Sequence, residues 1–194
     1  MSTILMFHHV QGLTPGLLEL ADRLRAAGHE VHTPDFYDGH TFDSLEDGFA
    51  YKRSSGIDID ELADAAAEAL PPDIVYAGFS LGVMSAQRLA QTRPGARAAL
   101  LFESTVPISG DDTFGPWPEG LLAQIHGLDA DEYFVGDGDI NAAREIVAVS
   151  PGSELYVYPG DGHLFSDSSL AGFDAEATEL MMGRVLEFLA RLDG

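Results

Sequence analysis

The nine residues IVYAGFSLG, 74–82, carry the clearest structural pattern of this chain. Residues 74–77 form a short apolar run that favours a buried strand, and a helical pattern begins at Leu81. Between them lies the pentapeptide GFSLG, with one glycine two residues before Ser80 and another two residues after it. Glycines at these positions allow a strand and a helix to approach closely. The pattern predicts a tight strand-to-helix turn that holds Ser80 at a helix N-terminus, where the helix dipole favours negative charge.

A similar alternation of strand and helix patterns extends outward from this turn. Apolar runs typical of strands occupy residues 4–8, 30–33, 74–77, 98–102, 121–126 and 155–158. Helical patterns occupy residues 15–27, 58–70, 81–91, 140–149 and 174–192, and residues 35–56 and 103–120 are predicted to be loops. The alternation predicts an α/β fold with a mostly parallel, doubly wound sheet. Ligands bind such sheets at the carboxyl ends of the strands, so polar residues that follow a strand are candidate site residues.

Length and composition exclude several classes of protein. The 194 residues predict a single domain, residues 1–194, and 45% apolar content excludes a disordered chain. A formal net charge of −22 disfavours binding to nucleic acid or to an anionic membrane surface. The absence of cysteine excludes disulfides, thiolate metal sites and a cysteine nucleophile. No apolar run reaches the roughly 18 residues that a membrane-spanning helix needs.

The N-terminus bears on the location of the protein. Residues 1–3 lead directly into the first predicted strand, without the basic segment and small-residue cleavage site of a signal peptide. We therefore expect a cytoplasmic protein. The sequence leaves its oligomeric state open.

A serine hydroxyl needs a base within hydrogen-bond reach before it can act as a nucleophile. The best candidate is His163, in the glycine-rich segment PGDGH that follows the last predicted strand. The chain order serine, acid, histidine is the order that a Gly-x-Ser-x-Gly turn requires in this class of fold.

The acid that orients such a histidine is expected just after the strand at residues 121–126. Four aspartates follow that strand: Asp129, Asp131, Asp137 and Asp139. Asp137 stands in a Gly-Asp-Gly turn, and Asp139 is interpreted as the cap of the helix at residues 140–149. Asp131 follows the strand closely and leaves room for the chain to turn back toward the site. We favour Asp131 as the acid and keep Asp139 as the alternative.

Taken together, these segments resemble the dienelactone hydrolase family of α/β hydrolases over most of the chain. The similar stretches are FHHVQGL at residues 7–13, TPDFY at 33–37, GFSLG at 78–82, IH at 125–126 followed by Asp131, and GHLF at 162–165. The combination is far more specific than the serine pentapeptide alone. The resemblance implies a minimal α/β-hydrolase fold without a cap domain, and hydrolase activity without a cofactor.

The resemblance also assigns roles to individual residues. The catalytic triad maps onto Ser80, Asp131 and His163. The oxyanion hole maps onto the backbone N–H groups of Val10 and Leu81, and two such donors would each contribute ~3 kcal/mol to stabilising a tetrahedral oxyanion.

This chain departs from the best-known members of the family in three ways. It has Ser80 where they have a cysteine nucleophile, and His9 where they have a glutamate near the nucleophile. Those members hold a substrate carboxylate with arginines, one of them shortly after the catalytic histidine, where this chain has Asp167. Lys52 or Arg53 could supply a cation from elsewhere. An aspartate at position 167 would repel a carboxylate, so we expect an uncharged substrate.

The resulting hypothesis is a serine esterase or lactonase that acts on a small acyl compound. The alternative is a non-catalytic protein that binds a small molecule on the same scaffold. No HExxH or comparable spacing indicates a metal site, and the adjacent His8 and His9 would point to opposite faces of a strand. The candidate pocket residues are His9, Phe36, Tyr37 and Trp117.

Overall fold

The computed structural model describes residues 1–111 and 113–194. The strands are β1 (Thr3–Phe7), β2 (Glu30–His32), β3 (Val75–Phe79), β4 (Ala98–Phe102), β5 (Leu122–Leu128) and β6 (Glu154–Tyr158). The helices are α1 (Pro15–Ala26), α2 (Leu45–Ser55), α3 (Ile59–Glu68), α4 (Leu81–Thr92), α5 (Asp139–Val149) and α6 (Ala175–Asp193). A short π-helical turn, Glu132–Gly136, precedes α5. Across the described residues, no helix is both long enough and apolar enough to cross a membrane.

The six strands form one sheet in the order β2-β1-β3-β4-β5-β6, and every neighbouring pair is parallel. The predicted α/β fold class is confirmed. Because all strands run in the same direction, their carboxyl ends lie along one edge of the sheet. The loops that follow β3, β5 and β6 therefore meet at that edge.

Alternating side chains of the strands fill two separate apolar cores. On β1, Ile4 and Met6 belong to one core, whereas Leu5 and Phe7 belong to the other. Helices α1 and α6 cover the first face, and α3, α4 and α5 cover the second. The central strands β3 and β4 are buried along their whole length because both faces of the sheet are covered.

The structure differs from the sequence prediction within residues 35–56, where the sequence predicts a loop. Helix α2 occupies part of this segment, with the Ser44 side chain accepting a hydrogen bond from the Asp47 N–H and Gly56 ending the helix in the left-handed conformation. Gly48 is the one fully buried residue of the helix. The helix therefore lacks the apolar stripe from which helices are predicted, and its capping residues define it instead.

The turn after β3 brings backbone segments unusually close together. A Cβ atom on Gly82 would lie 2.7 Å from the carbonyl oxygen of His8 and would also clash with the carbonyl oxygen of Phe7. Side chains in this position would push α4 away from the end of β1. The glycine is therefore required by the packing of α4 against the sheet.

Replacing Gly82 by Ala is expected to destabilise the protein by about 2 kcal/mol or more, since the clash is with backbone atoms that cannot move aside. Equilibrium unfolding in urea measures the effect. The matched control is Gly183→Ala on α6, where a Cβ would meet nothing within 4 Å. Because alanine favours a helix over glycine by about 1 kcal/mol, that variant should be as stable as the parent or more stable. Equal stabilities of the two variants would contradict this account of the turn.

Candidate active site

Ser80 occupies a strained turn between β3 and α4. Its backbone angles, φ 47° and ψ −111°, lie in a region that residues other than glycine rarely adopt. The Ser80 N–H donates a 2.9 Å hydrogen bond to the carbonyl oxygen of Phe102, which fixes the turn to the end of β4. The side chain makes no capping hydrogen bond to α4. Its hydroxyl is therefore free to interact with the loops at the edge of the sheet.

The hydroxyl of Ser80 forms a hydrogen bond with the imidazole of His163, which lies in the loop after β6. Ser80 Oγ and His163 Nε2 are 2.8 Å apart, and His163 Nδ1 is 2.8 Å from Asp131 Oδ2. An ionised carboxylate can only accept, so Nδ1 carries the proton that is donated to Asp131. This tautomer leaves Nε2 as the acceptor for the hydroxyl of Ser80.

Asp131 is held in place from its other side. Its side chain is fully buried, and its Oδ1 accepts a 2.9 Å hydrogen bond from the N–H of Tyr133. Asp131 thereby caps the π-helical turn that follows β5. The ring of Tyr133 lies with its centroid 4.5 Å from that of His163. The carboxylate and the imidazole are thus both oriented by contacts outside their own hydrogen bond.

Asp139, the alternative acid, is bonded to a different segment of the chain. Its Oδ2 accepts hydrogen bonds from the Ser104 hydroxyl at 2.5 Å and from the Thr105 N–H at 3.2 Å, so it is bonded to the loop after β4 and not to His163. The interpretation of Asp139 as the cap of α5 is wrong. Gly138 is the N-cap residue, and Asp139 is the first residue of the helix. Burial raises the pKa of the Asp139 carboxyl, although its hydrogen bonds oppose the shift.

A cavity of about 190 Å³ opens beside Ser80 and His163. Its described lining consists of Phe49, Ser80, Leu81, Met84, Glu103, Ser104, Tyr133, Asp137, Asp139 and His163. Three of these residues carry carboxyl groups, and none is a lysine or an arginine. The wall of the cavity is therefore a region of negative or neutral charge.

Glu103 is a residue of this wall that the sequence analysis missed. It follows β4 directly, is fully buried, and has a φ of 66°. Burial raises the pKa of its carboxyl to about 7. The expectation that polar residues after a strand are candidate site residues applies to Glu103 as well, so the signal was present in the sequence. A buried, ionisable residue with a strained backbone is typical of functional sites.

His9 and Asp167 form a buried pair away from this cavity. His9 Nε2 is 2.9 Å from Asp167 Oδ2, and His9 Nδ1 accepts a 3.2 Å hydrogen bond from the Gln11 N–H. The hydroxyl of Thr14 also donates to Asp167, so the carboxylate ties the start of α1 to the loop after β6. These hydrogen bonds outweigh the effect of burial and hold the pKa of Asp167 below its usual range. Asp167 is therefore a structural anion, and the expectation that it would face a substrate is wrong.

The aromatic residues that were candidates for the pocket belong to the core instead. Phe36 stacks on Phe7, and Tyr37 packs edge-on against His8 and is fully buried. Trp117 donates its indole N–H to the carbonyl oxygen of Leu121 at 2.8 Å and packs in the same core. The positions of these rings in loops suggested a pocket, but loop segments that pack beside the sheet bury their aromatic side chains in the core. Phe49 of α2 lines the cavity in their place.

The two backbone groups assigned to an oxyanion hole belong to Leu81, which lines this cavity, and to Val10, which follows β1. Leu81 is the first residue of α4, so its N–H points out of the helix without an intrahelical acceptor. Val10 is buried in the loop after β1, two residues beyond His8, whose carbonyl oxygen approaches Gly82.

Lys52 and Arg53 of α2 line a separate hollow of about 510 Å³, which shares Leu81 and Met84 with the cavity.

Two other buried histidines are held as neutral structural residues. His8 accepts a hydrogen bond from the Phe36 N–H at 3.1 Å, and burial lowers its pKa to about 4. His126 lies between Tyr158 and Gln124, and burial lowers its pKa to about 3.

Among residues 1–111 and 113–194, no three His, Asp or Glu side chains converge as a metal site would require.

Solved structures with the same fold are numerous. A dienelactone hydrolase-like promiscuous phosphotriesterase from metagenomic libraries is 19% identical, with a TM-score of 0.70 over 99% of this chain and 87% of that chain. An esterase from Pyrococcus furiosus is 14% identical, with a TM-score of 0.64 over 98% and 83% of the two chains. A thioesterase from the prodiginine biosynthetic pathway in Streptomyces coelicolor is 14% identical, with a TM-score of 0.62 over 96% and 85%. Comparison with curated proteins finds no match.

Sequence identities this low between solved structures show only a common fold. Membership of a family rests instead on the match to a family model. The model of the dienelactone hydrolase family matches residues 1–192, nearly the whole chain. That match establishes the family and the hydrolase class. The chain belongs to the dienelactone hydrolase family.

Proposed function

We propose that this protein is a serine hydrolase that cleaves a small ester or lactone through an acyl-enzyme. The observation that carries the proposal is the chain of two 2.8 Å hydrogen bonds from Ser80 through His163 to Asp131. A serine hydroxyl, an imidazole and a buried carboxylate in this order are the groups needed for nucleophilic acyl transfer.

In the first half of the reaction the Ser80 oxygen attacks the carbonyl carbon of the ester. His163 Nε2 takes the hydroxyl proton as the bond forms, and the negative charge of Asp131 stabilises the resulting imidazolium. The tetrahedral intermediate then collapses, its bond to the alkoxide breaks, and His163 returns the proton to the leaving oxygen. An acyl-enzyme and a free alcohol remain.

Water completes the cycle in the second half. It attacks the acyl carbon while His163 takes one of its protons, and the proton passes to Ser80 Oγ when the acyl–oxygen bond breaks. The products are a carboxylic acid and the regenerated hydroxyl. With a lactone as substrate, acid and alcohol are released as one molecule.

Both tetrahedral intermediates carry a negative oxygen that must be stabilised. The N–H of Leu81 at the start of α4 is one proposed donor, supported by the dipole of that helix, and the N–H of Val10 is the other. This assignment is supported by the position of Leu81, which follows Ser80 directly and lines the same cavity as Ser80 and His163.

The charge of the cavity favours an uncharged acyl group near the reacting carbonyl. Glu103, Asp137 and Asp139 lie in its wall, and the cations Lys52 and Arg53 line the neighbouring hollow rather than the cavity itself. An anionic acyl group would face repulsion there. The structural neighbours include an esterase, a thioesterase and a phosphotriesterase. Hydrolysis of an acyl compound by this chain would be consistent with these names.

Replacing Ser80 by Ala should abolish ester hydrolysis, with kcat lower by on the order of 10⁵-fold, because the nucleophile is removed. Turnover of p-nitrophenyl acetate measures the loss. The matched control is Ser85→Ala in the same helix, whose buried hydroxyl has no hydrogen-bond partner among the described residues. It should keep its activity.

A fluorophosphonate probe should label the parent protein at Ser80 with one equivalent, and it should leave Ser80→Ala unlabelled. If the parent neither hydrolyses esters nor reacts with the probe, the protein is a non-catalytic binding protein on this scaffold. That outcome would refute the proposal.

Asp131→Asn should lower kcat by about 10³- to 10⁴-fold, because an amide can favour the wrong histidine tautomer and carries no charge to stabilise the imidazolium. Asp139→Asn removes a carboxylate from the cavity wall but leaves the hydrogen bond between Asp131 and His163 intact. It should lose far less activity. The reverse order of effects would make Asp139 the acid and overturn the assignment of Asp131.

Neutral esters should be hydrolysed with a kcat/KM about tenfold higher than matched esters that carry a carboxylate on the acyl group. The difference should shrink as salt is added, because the cavity is open to solvent and its charges are screened. Asp137→Asn should reduce it as well. Preference for the anionic ester would contradict this account of the cavity.

A further inference from the structure

Glu103 is a buried ionisable residue in the cavity wall that the proposed mechanism does not use. It is fully buried, whereas Asp137, in the same wall, is exposed. Glutamate at a positive φ costs conformational energy, and proteins retain such strain where the surrounding structure requires it. The position of Glu103, at the end of β4 beside the loops that carry Asp131 and His163, calls for a role.

We propose that Glu103 is a positioning residue for His163: its carboxyl group holds the histidine loop, and its negative charge stabilises the imidazolium formed during catalysis. The inference rests on the proposed function, since it assigns Glu103 a part in the reaction of Ser80 and His163.

The first support is the contact between Glu103 and the histidine loop. Glu103 Oε1 accepts two hydrogen bonds from Ser166, at 3.2 Å from its N–H and 2.9 Å from its hydroxyl. Ser166 lies three residues after His163 in the sequence. Between them, Leu164 has a φ of 60°, so the loop turns sharply at this point. Glu103 therefore fixes the loop where the histidine emerges from it.

The second support is the state of the other carboxyl oxygen. Glu103 Oε2 is buried and has no hydrogen-bond partner among the described residues. Buried polar atoms without partners are rare, and each needs an explanation. Because only one oxygen of the carboxyl group accepts hydrogen bonds, the other oxygen can carry a proton or be ionised without breaking a hydrogen bond. Its charge can then respond to a neighbouring cation.

The groups that face Glu103 come from two neighbouring loops. His163, after β6, favours the ionised form of Glu103, and Asp131, after β5, opposes it. Ser166 favours the ionised form through its two hydrogen bonds, whereas burial opposes ionisation most strongly and raises the pKa of Glu103 to about 7. Asp137 and Asp139, at the start of α5, line the same cavity. Protonation of His163 during the reaction would therefore be coupled to the ionisation of Glu103.

This coupling predicts an additional step in the pH dependence of the reaction. Below about pH 7 Glu103 is protonated and neutral, so the imidazolium is stabilised by Asp131 alone. As the pH rises through that value, Glu103 loses its proton, and its charge adds to that of Asp131. We expect kcat/KM to rise by about tenfold over this step.

The test is the pH profile of kcat/KM between pH 5 and 9 with a neutral ester. Glu103→Gln keeps an oxygen that can accept from Ser166 but has no ionisable group, so it should fold, lose the step near pH 7, and fall about tenfold below the parent at pH 8. Ser166→Ala removes a hydrogen bond that favours the ionised form, so it should move the step to higher pH. Asp139→Asn, the matched control in the same wall, should keep the step where it is.

Carbon-13 NMR of the Glu103 carboxyl gives a readout that does not depend on activity. It should titrate near pH 7 in the parent and at higher pH in Ser166→Ala, and this measurement stands even if Glu103→Gln does not fold. An unchanged pH profile in both variants, or a carboxyl that titrates at the usual value for glutamate, would overturn the inference. Failure of the proposed function would look different, because the parent itself would then show neither ester turnover nor reaction with the fluorophosphonate.

Discussion

The close approach of helix α4 to the ends of β1 and β3 is the constraint on which the site depends. Gly82 allows the start of α4 to touch the backbone carbonyl of His8, and this contact sets where the helix begins. Because the helix begins there, Ser80 must turn through a strained backbone conformation, which directs its hydroxyl toward the loop after β6. The proposed oxyanion donors follow from the same contact, since one lies on the helix and the other just after β1. A side chain at position 82 would thus displace the hydroxyl of Ser80 and the proposed oxyanion donors together.

The carboxyl groups in and around the site have different hydrogen-bond partners. Asp131 is bonded to His163 and Asp139 to the loop after β4, whereas Asp167 is bonded to His9 after β1 and to Thr14 at the start of α1. Each is fixed by hydrogen bonds that an uncharged side chain would make less well. Glu103 differs from them, since one of its oxygens has no partner and its pKa is raised to about 7. In a chain with a net charge of −22, this separation determines which negative charges face a ligand and which stabilise the fold.

Much of the fold and part of the site could be predicted from the sequence. The apolar strands and the glycine turn carry strong local patterns, and the parallel sheet then brings Ser80, Asp131 and His163 to one edge. Helix α2 could not be predicted from apolar periodicity, because its ends are defined by Ser44 and Gly56. The pairing of Asp167 with His9 links residues 158 positions apart, and no local pattern reveals such a contact. The side-chain directions of Phe36, Tyr37 and Trp117 likewise depend on packing between elements.

The proposed function requires that Ser80 becomes covalently acylated during turnover. The most direct measurement is the mass of the intact protein after rapid acid quenching of its reaction with an activated, slowly deacylating ester, followed by peptide mapping. We expect a mass increase of one acyl group on the peptide that contains Ser80, and this adduct should form and decay as fast as product appears. Product release without an adduct, or an acyl group attached to another residue, would contradict it.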